Sequence, residues 1–547
     1  MTDRFAKAAD EILRRAGVKE GYCLDLDGGD GELAVALAAR TNLQIYALHP
    51  DAEAVTTLRK KLSAAGLYGA RITVHQGDAE HVRYGKYFAD LVVSSKSLDA
   101  GPLEVTADAT PKPLRPAGGQ VCSGRLGEMQ VVTRGALAKS GSWTLWFRDV
   151  DLEMPQRHGR GHAPLFQDGR MFVEGIAALR AVDAYNGRNL WEFPLPNIQK
   201  AYSADHLSGT AVTGSNFCVA SGNVFVHDKK FCYRLDAATG KKLGEFSAPA
   251  QRDGKPGSWG YIASDGKRLF GSLANSKHQV RFAYVRADTS ELLGESSTFF
   301  ALDAQTGELR WRYDAEHSIR HNAIAIGAER VFLIDRPLSD DDKWDGSDKS
   351  AKLPPVKDVK HALGRLMALD VATGKIAWKS DADAFGTMLS FSPKHDALLM
   401  AYQSTRFKLP SEVGGRLAVF RGSTGKPLWN KEAKYITRPL INDRMIYAQG
   451  GAWDLLTGED VPFTLNRSYG CGQLAGSKHM LLFRSATLGY LDLSRGSGVE
   501  NVGSIRPGCW INALPVGGLV LVPDASAGCQ CSYQNRSWMA LSGSNDQ

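Results

Sequence analysis

The chain has 547 residues, 43% of them apolar and 23% charged, which is the composition of a globular protein too long for one ordinary domain. Its formal net charge of +7 is spread without a dense Lys/Arg run, which argues against a nucleic-acid partner. No apolar run approaches the ~18 residues of a transmembrane segment, and residues 1–11 are too polar for a secretory signal. The expected location is therefore the cytoplasm, or the periplasm if a leader once preceded this sequence.

Residues 4–16 have helical periodicity, with Phe5, Ala8, Ile12 and Leu13 on one face. Next comes a strand, a Gly-rich turn and a helix around Asp25-Leu-Asp27-Gly28-Gly29-Asp30-Gly31. Residues 43–48 form a second strand that ends at His49-Pro50-Asp51, and a helix continues to Leu62. Residues 72–78 give a third strand with a Gly77-Asp78 turn, and residues 89–94 a fourth. Strands alternating with helices predict an α/β domain with a parallel, doubly wound sheet over residues 1–120.

This order resembles class I S-adenosylmethionine-dependent methyltransferases. The matching pieces are the Asp25 to Gly31 turn, His49, Gly77-Asp78, the Ala89-Asp90 strand and Leu114-Arg-Pro-Ala-Gly118-Gly119. The resemblance implies a Rossmann-like fold and an S-adenosylmethionine site at Asp25, Gly29, Gly31, His49 and Asp78. Two positions depart from the family pattern. Asp27 stands where the family has Gly, so its carboxylate would crowd and repel the carboxylate of the cofactor. His49 stands where the family has an acid for the ribose hydroxyls. The unit also stops after Gly119, without closing antiparallel strands. These departures point to a degenerate methyltransferase-like domain kept for structure or docking, with a working methyltransferase as the alternative.

Residues 121–144 read as a linker, irregular over 131–141. Beyond it one phrase recurs. Its first copy is Asp183-Ala-Tyr-Asn186-Gly187, leading to Trp191. Further copies start at Asp236, Asp303, Asp370, Arg421, Asp454 and Asp492, and a relic lies at Leu541-Ser542-Gly543. An Asx side chain followed by Gly is the chemistry of a tight hairpin. Eight units of roughly 35–65 residues, rich in short strands, predict an all-β, eight-bladed propeller over residues 145–547. The charged insertion at 339–361 reads as a solvated loop.

The repeated Asp-x-x-Thr-Gly-x-x-x-Trp phrase resembles the pyrroloquinoline-quinone-type propeller repeat. That family holds quinoprotein alcohol dehydrogenases and also cofactor-free scaffolds such as the outer-membrane assembly propeller lipoprotein. The two-part arrangement looks like large propeller proteins of planctomycete-type bacteria. In such repeats the Trp is expected to wedge between blades.

Each innermost strand of a propeller starts at one mouth of the central channel. Polar and aromatic residues just before these strands are therefore the candidate site: His158, His162, His206, Trp259, Tyr261, His321, Asn322, Arg438, Arg467, Tyr469, Trp510 and Asn512. Arginines could hold an anion while an aromatic ring stacks on it, which fits an anionic or sugar-like small molecule. The imidazoles lack fixed ligand spacing, so no metal site is assigned. Pyrroloquinoline quinone with calcium would call for an acid pair and, often, adjacent cysteines, whereas Cys529-Gln-Cys531 is one residue too long. Cys471, Cys509, Cys529 and Cys531 read as disulfides in an oxidising compartment or as buried thiols otherwise. The expected function is a ligand-binding or scaffold propeller, with a possible protein partner. The alternative is an enzyme, either a quinoprotein-like oxidoreductase or a methyltransferase.

Overall fold

The computed structural model describes residues 3–78, 84–138, 164–174, 177–196, 198, 216–274, 295–337, 364–402, 414–470, 474–507, 513–522 and 539–542. The chain divides into two compact units. One comprises residues 1–141 with 168–170 and 183–189, and the other comprises the rest.

The first unit is built on six strands: β1 (Glu20–Asp25), β2 (Asn42–His49), β3 (Ile72–Gln76), β4 (Leu91–Val93), β5 (Gln120–Ser123) and β6 (Gln130–Thr133). They lie in the order β3-β2-β1-β4-β5-β6, and only β6 is antiparallel to its neighbour. Helices α1 (Asp3–Ala16), α2 (Glu32–Ala38) and α3 (Ala52–Ala64) cover one face. Ala8, Ile12, Leu37, Leu58 and Leu62 there pack on Ile45, Val74 and Leu91. Each such Leu, Ile or Val side chain contributes ~1.5–3 kcal/mol by leaving water. The other face buries Leu24, Leu48, Val92 and Leu114, flanked by half-buried Tyr46, Tyr84 and Phe88. Burial on both faces explains the apolar runs Tyr22–Leu24, Ile45–Leu48 and Leu91–Val93.

Two expectations change here. The segment read as a linker from residue 121 opens with β5 and β6, which complete this sheet. A closing antiparallel strand is thus present: Val131 and Val132 pair with Cys122 and Val121.

After residue 164 the described strands form seven antiparallel sheets, each a meander of sequential strands. The first strands of successive sheets are neighbours, except that the seven-stranded sheet meets the next one through Leu309–Gly327, which is a propeller-like arrangement. One sheet has seven strands because Leu309–Gly327 pairs through its first half with Glu295–Asp303 and through its second with Arg330–Asp335. Among the described residues no helix is long and apolar enough to cross a membrane.

The repeated phrase joins third to fourth strands, and its chemistry is local. The Asp236 carboxylate accepts from the backbone N–H of Ala238 and Thr239, at 3.1 and 2.8 Å, and the Gly240 N–H closes on the Asp236 carbonyl at 2.8 Å. Asp303, Asp370 and Asp454 repeat the pattern. The glycine takes positive φ, +69° at Gly374, which side-chain-bearing residues rarely adopt. Arg421 lacks the carboxylate, and Asp396 replaces it by accepting from the Ser423 N–H at 2.8 Å.

Each Trp then ties its repeat to the next. Trp191, Trp311, Trp378 and Trp429 donate their indole N–H to the carbonyls of Ala237, Val371, Gly422 and Leu455, at 2.8–3.1 Å. Their rings lie over Gly240, Gly374, Gly425 and Gly458, where a Cβ would come within 2.4–2.6 Å of the indole. The expected wedge is therefore a ring over a glycine turn with one hydrogen bond at its edge.

Candidate functional site

In the first unit Asp25, Gly29, Gly31, His49 and Asp78 lie at or just beyond the carboxyl ends of β1, β2 and β3. Ligands of open α/β sheets bind at this edge. The turn after β1 is held from within. Ser95 donates its backbone N–H and its hydroxyl to the Asp25 carboxylate, at 2.9 and 2.6 Å. Ser94 donates its hydroxyl to Asp27 at 2.9 Å. Asp25 is fully buried, and burial raises its carboxyl above the usual range despite the Ser95 bonds. Gly31 is left-handed at φ +79°, and a Cβ there would meet Leu58 of α3 at 2.6 Å. The His49 imidazole accepts from the Asp51 N–H at 3.1 Å, and Asp51 caps α3 by accepting from the Ala54 N–H at 2.7 Å. Both residues thus serve the strand-to-helix turn. Asp78 is half-buried just beyond β3.

In the repeats the meander brings three things to one end of each sheet: the start of the first strand, the end of the second and the start of the third. That end collects buried polar side chains. Trp259, Tyr261 and His321 are there, but packed inside rather than lining an open mouth. Trp259 is wholly buried, stacked on His227 and set edge-on to Phe300. Burial pushes the Tyr261 phenol well up. The His321 Nε2 is 2.7 Å from the Ser296 hydroxyl, which in turn is 2.7 Å from that of Ser272. A Cβ at Gly260 would meet all three side chains within 3.0 Å. Two ladder irregularities make this approach possible. One lies between Trp259 and Ile262, the other between Ile319 and Ile324, so His321 falls where its strand leaves regular pairing. His227 accepts at Nδ1 from the Lys229 N–H (3.2 Å), so its Nε2–H donates to the Gly260 carbonyl (3.0 Å).

Beside this cluster Arg320 binds the buried Glu295 at 3.2 Å, and Ser318 donates to the same carboxylate at 2.9 Å. Asp335 accepts from the N–H groups of Glu316, His317 and Ser318 and from the Tyr313 hydroxyl. Further along, Arg438 lies buried just before its first strand, while Arg467 is half-buried and Tyr469 is 66% exposed. Asn322 is half-buried. His158, His162, His206, Trp510, Asn512, Cys471, Cys509, Cys529 and Cys531 lie outside the described residues. The expectation missed Ser272, Glu295, Ser296 and Arg484. They sit on second and third strands, whose ends reach the same place as the first-strand starts. Among the described residues no three His, Cys, Asp or Glu side chains form a set that could hold a metal ion.

Residues 228–433 and, overlapping them, 362–460 match the family described as outer membrane protein assembly factor BamB. Residues 23–117 match the family described as methyltransferase domain. The chain joins a methyltransferase-like domain to quinoprotein-type propeller repeats. A proposed S-adenosyl-L-methionine-dependent methyltransferase from Methanococcus maripaludis is 30% identical over 22% of this chain and 53% of its own, with a TM-score of 0.19. A proposed sarcosine dimethylglycine methyltransferase from Galdieria sulphuraria is 20% identical over 22% and 45%, also at 0.19. A europium-containing methanol dehydrogenase is 11% identical over 64% and 80%, at 0.39. The chain thus spans about half the length of each of these two methyltransferases. No curated protein matches it.

Proposed function

We propose that this protein is a ligand-binding propeller of eight blades, with its site at the end of the sheets where the first strands begin. Its N-terminal domain keeps the methyltransferase fold without methyl transfer. The blade count follows the eight sequence copies, with Leu309–Gly327 serving two blades at once. The observation that carries the reading is the concentration of buried charged and hydroxyl side chains at that end. Ser272, Glu295, Ser296, Arg320, His321, Asp335, Arg438 and Arg484 all lie within reach of that end. A scaffold held together by repeated turns has no need of them there.

S-adenosylmethionine and quinone each fit poorly. Asp25 and Asp27 are both turned to the serines after β4, and Asp27 brings a carboxylate into the turn after β1 where an anionic cofactor would be repelled. His49 offers no acid to a ribose. Trp259 has both neighbours in place and no face for a quinone. Calorimetry with S-adenosylmethionine tests the first domain: the wild-type chain should give no binding heat at millimolar ligand, and micromolar affinity would end this reading of it. The propeller reading is tested by identifying small molecules that copurify and are lost on Arg438→Gln substitution.

A further inference from the structure

Asn216, Trp259, Asn322, Tyr402 and Gln449 each keep one buried hydrogen-bonding atom that finds no partner among the described residues: Oδ1, Nε1, Oδ1, the hydroxyl and Oε1 respectively. All five residues belong to the end of the sheets where the first strands begin. Asn216 precedes the first strand Phe217–Ala220, and Trp259 opens the first strand Trp259–Ser264. Tyr402 and Gln449 follow the second strands Ala397–Ala401 and Met445–Ala448. Asn322 lies where Leu309–Gly327 leaves regular pairing, between Ile319 and Ile324. Asn216, Trp259 and Tyr402 are at most 2% exposed. Buried polar atoms are nearly always paired, because an unpaired one has given up its water for nothing.

Their surroundings fix how these atoms point. The Asn216 amide donates from Nδ2 to the carbonyls of His227 and Ile198, at 3.2 and 3.4 Å, which sets its direction and turns Oδ1 the other way. The Trp259 ring meets Gly271 with Cζ3, where a Cβ would come within 2.5 Å, so its N–H edge is turned from that side. The Tyr402 N–H donates to the Tyr435 hydroxyl at 2.9 Å, which leaves the Tyr402 hydroxyl uninvolved. Burial pushes the Tyr402 phenol well up, against the pull of the nearby Arg320 guanidinium, so it stays a protonated donor. Most of the set is joined by contacts: Asn216 to His227, His227 stacked on Trp259, Gly260 against His321 beside Asn322, and Arg320 near Tyr402. The carboxylates among them are answered within the protein, Glu295 by Arg320 and Ser318 and Asp335 by three backbone N–H groups.

We infer that this end of the sheets binds an uncharged saccharide, whose hydroxyls accept from Trp259 and Tyr402 and donate to Asn216, Asn322 and Gln449. The inference rests on the ligand-binding reading above and names the ligand class of its site. The unmatched atoms are neutral and of both kinds, two donors and three acceptors. An anion would satisfy the donors and be repelled by the three amide oxygens, and a cation would do the reverse. A hydroxyl both donates and accepts, so a molecule made of hydroxyls matches the whole set.

The test is calorimetry on the full chain with neutral oligosaccharides of glucose, galactose, mannose and N-acetylglucosamine, each beside its sulfated counterpart at matched ionic strength. At least one neutral oligosaccharide should bind, and more tightly than its sulfated form. Tyr402→Phe removes only the unpartnered hydroxyl, so the thermal midpoint should hold or rise while saccharide affinity falls by about tenfold, the worth of one buried hydrogen bond. Gln449→Met, at a half-buried position, should weaken binding in the same direction and by less. Binding by none of the neutral oligosaccharides overturns the saccharide. A sulfated form bound more tightly than its neutral parent, and lost in Tyr402→Phe, also overturns it but leaves the ligand-binding reading standing. Saccharide affinity unchanged by both substitutions overturns the site, as does a fall in midpoint in Tyr402→Phe with affinity kept.

Discussion

The two ends of the repeat sheets handle most of their polar groups differently. At the turn end, Asp236, Asp303, Asp370 and Asp454 are satisfied by N–H groups two and three residues on. At the other end partners come from far along the chain. Ser318 reaches Glu295, and Ser296 reaches His321. The Tyr435 hydroxyl accepts from the Tyr402 N–H at 2.9 Å and donates to the Arg416 carbonyl at 2.8 Å. Local satisfaction can be copied from repeat to repeat without regard to context. Long-range satisfaction must be built once for each place. The repeated end therefore specifies fold, and the unrepeated end is where this chain is individual.

Damage at the turn end should cost stability and spare ligand binding, and three measurements sharpen that contrast. Trp311→Ala removes a buried indole and its bond to Val371, and should lower unfolding free energy by about 3–5 kcal/mol in a urea titration. Gly374→Ala puts a Cβ within 2.5 Å of the same indole at a left-handed φ, and should cost about 2 kcal/mol. Binding of any copurified ligand should be unchanged in both, and a loss would break the division between the ends.

The smallest effect is with acid. The Arg310 side chain, with the backbone N–H groups of Thr306 and Gln305, holds the Asp303 carboxyl far below its usual range. The Thr373 hydroxyl leads the same effect at Asp370. Carboxyls lowered by folding stabilise the folded state while the unfolded ones would be ionised. Their contribution is whole above about pH 4 and is lost as pH falls further. The thermal midpoint should thus fall below that pH, less steeply in Asp303→Asn.

Much of this was legible in the sequence because its signals are short-range. The Asp25 to Gly31 turn and the Asp-x-x-Thr-Gly hairpins are each made by a handful of adjacent residues, and both stand as read. What failed depends on distance. Ser94 and Ser95 reach Asp27 and Asp25 across about 70 residues, through a β1–β4 pairing that no local pattern announces. Strand β6 is two valines between polar residues, and only its partner β5 makes it a strand. Arg484 lies at the end of a second strand, and only the meander brings that end beside the first-strand starts. At Arg421 the weak copy keeps its turn because Asp396, from another turn, stands in for the missing acid.

The strand Leu309–Gly327 has a consequence for how the protein comes apart. Two sets of strands share one continuous ladder through it, so neither can lose its hydrogen bonds at the junction without exposing the other. The strands from Trp259 to Lys379 should open as one block, and their deeply buried amides should exchange with deuterium together. Elsewhere each sheet has its own ladder and can breathe alone, tied to its neighbour chiefly by packing and an indole.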